Sequence, residues 1–159
     1  LKIAIPGGAF GAGDIGPLTQ AFQDFMRGKL PFQPDTRSRF QLCHVERLCD
    51  GLIRVLERGQ PGRNYLLTGQ DYSMPELFAL LADLRGASAP KKMPLDRLRP
   101  LARGMDLLSH LGLRGPLSVE TLRVLDGSTY TYTARRAETE LGWNAGDVRA
   151  DLLDWLKTF

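Results

Sequence analysis

The 159 residues are 43% hydrophobic and 25% charged, with a net charge of +3 and a pI near 9.1. That is the composition of one globular domain with a sizeable core, and no apolar run approaches the roughly 20 residues of a membrane helix. The basic excess is spread along the chain and balanced locally by Asp and Glu, whereas nucleic-acid binders gather Lys and Arg on one face, so neither a membrane nor a nucleic acid is expected as a partner.

The chain opens on an apolar run, Leu1–Ile5, bounded by Pro6-Gly7-Gly8. Such a run reads as a strand buried on both faces. A chain that starts inside a strand without Met is expected to be cut from something longer, with the strand's other partners upstream. Pro6–Asp14 holds four glycines, Gly7, Gly8, Gly11 and Gly13, and reads as a loop closely approached by something else. Leu18, Phe22, Phe25 and Met26 recur at helical spacing, with Gly28 as the stop.

Leu30–Phe32 and Arg39–Cys43 read as short strands around a polar loop, Gln33–Ser38. His44–Arg58 is an amphipathic helix with an apolar stripe of Val45, Leu48, Leu52, Val55 and Leu56, ended by Gly59–Gly62. Asn64–Thr68 is a strand. Ser73 and Glu76 form a capping box for a helix carrying Leu77, Leu80, Leu81 and Leu84 and stopping at Gly86. Lys91–Leu95 is a strand leading into a Leu- and Arg-rich helix over 96–111, and another helix starts near Ser118 after Gly115-Pro116. Tyr130–Tyr132 is extended, Thr133 caps a helix to Leu141, and Asp147 caps a last helix with Leu152, Leu153, Trp155 and Leu156 inside. The sum is mixed α/β: mainly helices, with several short strands out of strict alternation.

The chemistry-bearing residues are sparse. Cys43 and Cys49, six apart, are neither a CxxC nor a disulfide framework, and read as core thiols of a reducing compartment. His44 and His110 have no partner at ligand spacing, so no metal is expected. His44 reads as a half-buried histidine bonded to a carbonyl in preference to a general acid or base. Gly7–Gly13 does not fit the dinucleotide fingerprint GxGxxG, which also asks for an acidic residue about 20 positions on, after a second strand.

The order of motifs is more informative than any one of them. Pro6-Gly7-x-x-Phe10-Gly11-x-Gly13-Asp14 comes first. Arg39-Phe40 with His44-Val45-Glu46 follows, then Leu56-Glu57-Arg58-Gly59-x-Pro61-Gly62-x-x-Tyr65-x-Leu67-x-Gly69, Ser73-x-x-Glu76-Leu77 and Lys92-Met93-Pro94. Ala134-Arg135-Arg136-Ala137-x-x-Glu140-Leu141-Gly142-Trp143 and the closing helix over 152–155 complete the series. This succession resembles the C-terminal, substrate-side part of the extended short-chain dehydrogenase/reductases, the NAD-dependent epimerase/dehydratases and dihydroflavonol-reductase-like enzymes. It departs from them at Arg47, where they carry an acidic residue, and at Ala12, where they carry proline.

The resemblance implies the substrate-binding portion of a Rossmann-type fold without its N-terminal nucleotide-binding core. Residues 1–14 would be a remnant strand and Gly-rich loop of the nucleotide-binding sheet, and 15–159 the substrate domain. The family's GxxGxxG and Tyr-x-x-x-Lys are absent from this sequence. The implied parent enzyme uses NAD or NADP, this chain alone binding neither, and acts on a hydroxyl or carbonyl of a small substrate. Pro6, Gly7 and Gly8 would lie against the cofactor; Phe10, Arg37 and Arg39 would face substrate. A cytoplasmic location, a partner in the missing half and self-association through the Leu1–Ile5 edge are the corresponding expectations. The alternative is a free-standing, non-catalytic ligand-binding or regulatory domain of the same ancestry.

Overall fold

The computed structural model describes residues 1–109, 118–126, 129 and 131–158. His110, the Gly115-Pro116 break and Tyr130 lie outside them. The chain forms two compact units, one of Leu1–Asp14, Phe40–Tyr72 and Tyr130–Phe159, the other of Ile15–Arg39 and Ser73–Thr129. The first 14 residues belong to the same unit as two later segments.

In the first unit, β1 (Ile3–Pro6) runs parallel to β5 (Asn64–Leu67), Ile3 opposite Asn64 and Pro6 opposite Leu67. β2 (Gly8–Phe10) runs parallel to the end of β4 (Arg39–His44), which also neighbours β6 (Gln70–Ser73). Two expectations are corrected here. Leu1–Ile5 is not buried on both faces: β1 has β5 as its one strand partner among the described residues, Ile3 and Ile5 are 40% and 41% exposed, and only Ala4 packs on the core. The Gly-rich segment is not all loop either, because glycine at position 8 lets β2 approach β4. A Cβ there would stand 2.9 Å from the Gln41 carbonyl oxygen.

The core of this unit gathers Cys43, Leu48, Val55, Tyr65, Leu67, Ala137, Leu141 and Trp143. They come from β4, β5, α2 (Val45–Arg58), α6 (Arg135–Leu141) and the turn after it. The buried stripe of α2 is Leu48, Gly51 and Val55, and the expected members Leu52 and Leu56 are 44% and 75% exposed. Gly51 turns the stripe, because with no side chain it admits Trp143 and Leu67 onto the helix backbone. Cys49 lies on the outer side of this helix and is exposed, against the expectation of two core thiols. Gly142 ends α6 in the left-handed region, and Asp147 caps α7 (Val148–Leu156) by accepting from the Arg149 amide at 2.9 Å.

In the second unit, α1 (Pro17–Met26) packs on α3 (Met74–Arg85) through Phe22, Phe25 and Phe78. Their rings meet edge to face at 5.8–5.9 Å. The Ser73–Glu76 capping box is formed in full, and Gly86 closes α3 in the left-handed conformation. β3 (Phe32–Asp35) pairs parallel with β7 (Lys91–Pro94), so part of the expected polar loop is strand. α4 (Leu95–Ser109) then packs on α5 (Val119–Leu125) around Leu98, Ala102 and Leu122.

Candidate functional site

The residues singled out from sequence divide between the two units. Pro6, Gly7 and Gly8 sit where the parallel β1–β5 pair ends; the Gly7 amide donates to the Leu67 carbonyl at 2.9 Å. The carboxyl ends of parallel strands are where α/β sheets bind ligands, since the chain must leave the sheet there and exposes backbone groups. Pro6 and Gly8 are exposed and Gly7 half-buried. The glycines have a second cause inside the chain. Added Cβ atoms would meet Thr68 Cγ2 at 3.3 Å from position 7 and Leu42 Cδ2 at 3.1 Å from position 8.

Phe10 lies in the core of the first unit, fully buried. Its ring meets His44 edge-on at 5.4 Å and Trp155 at 5.9 Å. His44 ends β4 and is the N-cap residue of α2. Gly11, at φ +142°, makes room for this pair, since a Cβ would fall 2.7 Å from Val45 and 3.0 Å from His44 Nε2. Histidine here is a packing residue of the β4–α2 junction.

Arg37 and Arg39 belong to the second unit. Arg37 is exposed, held between Thr36 and Ser38, whose buried hydroxyls both donate to the Leu125 carbonyl at the end of α5. Arg39 is engaged with Glu76 through two contacts of 3.0 Å, a fork on a carboxylate. The Arg39 guanidinium, and then the Ser73 amide, hold the Glu76 carboxyl below its ordinary value. Sequence reasoning found Glu76 as a cap but missed it as Arg39's partner, because the two are 37 positions apart. It also missed what Arg47 does. Where the resembling family has an acid, this guanidinium stands 3.8 Å from Asp151.

Burial pushes the Cys43 thiol up to about 11, assisted by the Asp151 charge and opposed by Arg47. A protonated, buried thiol is no nucleophile. Among the described residues no group of three His, Cys, Asp or Glu side chains is placed to hold a metal ion, and no helix is long and apolar enough to cross a membrane.

No family model matches the chain, and none of the curated proteins does. Solved structures do. PA4631, a nucleoside-diphosphate-sugar epimerase from Pseudomonas aeruginosa, is similar over 99% of this chain and 48% of its own, at 28% identity and a TM-score of 0.71. The protein gox2253 matches 98% of this chain and 48% of its own, at 25% identity and a TM-score of 0.73. The chain has the fold of the C-terminal part of the extended short-chain dehydrogenase/reductases. It spans about half the length of these relatives. The dTDP-glucose 4,6-dehydratase DesIV from Streptomyces venezuelae, solved with NAD bound, shares this dehydrogenase/reductase fold at 17% identity and a TM-score of 0.67.

Proposed function

We propose that this chain is the substrate-side part of an NAD(P)-dependent oxidoreductase, epimerase or dehydratase acting on a hydroxyl or carbonyl group. The supporting observation is the match of almost the whole chain to half of an epimerase structure. The end of the β1–β5 pair at Pro6-Gly7-Gly8 suits the role. Its exposed backbone would form one wall of a nicotinamide site, which would supply hydride transfer when loaded. The residues fit as a wall and no more, because the glycines at 7 and 8 are already required by Thr68, Gln41 and Leu42.

The chain's own contribution would be orientation of substrate. Arg37 offers a cationic donor at an exposed position, and Arg39 offers one already oriented by Glu76. The acid–base pair is not among these 159 residues, so the chain alone would hold neither cofactor nor turnover.

Calorimetric titration of NADH and NADPH tests this. The expected result is no measurable binding to the 159 residues, and binding once a nucleotide-binding half of a relative is joined ahead of Leu1. Micromolar binding to the 159 residues alone would overturn the reading.

A further inference from the structure

The α4–α5 pair carries charge where a helix pair needs none. Helices that pack on one another are stable with apolar residues along the seam. Here Arg99 and Arg103, one turn apart on α4, face a groove with Val119, Leu122 and Arg123 of α5 and Asp126 just after it. The α5 residues recur at three and four positions, one side of one helix. The groove is a cleft of about 200 Å³, room for one small organic molecule. Leu122, 3% exposed, and the half-buried Val119 give it an apolar floor.

The charges are not equivalent. Arg99 is forked between Asp96, at 2.9 Å, and Asp126, which neutralises the acid lining the cleft. Arg123 approaches Glu120 only at 3.8 Å, with both side chains more than three-quarters exposed, and such a pair is worth little. Arg103 is exposed. The positive potential of the cleft therefore rests on Arg103 and Arg123. The cleft is also preformed: Asp106 of α4 accepts from the Val119 amide at 3.0 Å and fixes the start of α5 against α4.

We propose that this cleft binds a small organic phosphate, with Arg103 and Arg123 on its oxygens and its apolar body on Leu122 and Val119. Two guanidinium forks from different helices match a dianion with three free oxygens; a carboxylate has only two, which one fork satisfies. The proposal is independent of the oxidoreductase reading, since it needs neither nicotinamide nor turnover.

The test is amide chemical-shift titration of the 159-residue chain with phenyl phosphate, inorganic phosphate and benzoate at low salt. Phenyl phosphate is expected to bind tightest, shifting residues of α4 and α5. The double variant R103A/R123A alters two exposed side chains, and amide dispersion like the parent's is the check that it folds. It should weaken phenyl phosphate by about tenfold or more, while K157A, at the far end of α7, leaves it unchanged. Three results would overturn the proposal: no α4–α5 shifts at millimolar phenyl phosphate, benzoate binding as tightly, or equal weakening by K157A, the mark of unspecific attraction to positive charge.

Discussion

Gly51 lies directly beneath the Trp143 indole: a Cβ on residue 51 would stand 2.7 Å from Trp143 Nε1 and 2.9 Å from Leu67. The same indole nitrogen donates to the Arg47 carbonyl at 2.9 Å, one turn earlier on α2. The missing side chain thus lets a tryptophan 92 positions later lock onto the helix. Gly51→Ala gains up to about 1 kcal/mol of helix propensity but overpacks the site at about 1–3 kcal/mol. We expect a net loss of stability in urea unfolding, with unchanged helical content in the folded protein. An alanine variant as stable as the parent would show that the indole is not seated on residue 51.

Tyr65, fully buried, links three segments of the first unit. Its hydroxyl accepts from the Gln60 amide at 2.9 Å and donates to Glu140 Oε2 at 2.8 Å. Tyr65→Phe keeps the ring and strips both bonds, so it should cost about 1–3 kcal/mol. Equilibrium urea denaturation checks this, and a cost near zero would mean that water replaces the hydroxyl freely.

The Arg39–Glu76 pair gives stability a pH dependence of definite sign. Glu76 has a folded-state pKa below its ordinary 4.5. As pH falls below that value the unfolded chain takes up the proton first, so the contribution of Glu76 is present above about pH 4.5 and is lost as pH drops through the lowered folded value. Glu76→Gln, which keeps the shape and the capping box but not the charge, should be less stable than the parent at neutral pH by a few tenths of a kcal/mol up to about 1 kcal/mol. The gap should close in acid. A gap that is constant with pH would remove the ion pair from the account.

The two thiols should part company on alkylation. With iodoacetamide at pH 8, exposed Cys49 reacts, and Cys43 reacts only after unfolding, as read by peptide mass spectrometry. With the Cys43 thiol pushed from 9.0 to about 11, the unfolded thiol ionises first as pH rises, so stability falls between those values. Equal labelling of both cysteines in the folded protein would contradict the burial of Cys43.

Local signals were legible in the sequence. The Ser73–Glu76 box, Asp147, and the stops at Gly28, Gly86 and Gly142 bounded helices because capping and left-handed turns depend on a few adjacent residues. Motif order named the fold, and the comparison of structures agrees with it. Only the tertiary structure decided what long-range packing sets. It turned the stripe of α2 onto Gly51, exposed Cys49, left Ile3 and Ile5 open at the sheet edge, and joined Arg39 to Glu76. The physical reason is the same each time. Periodicity reports that a side chain is apolar or charged, but which neighbour it meets depends on elements tens of residues away, and a glycine that admits a tryptophan has no periodic signal at all.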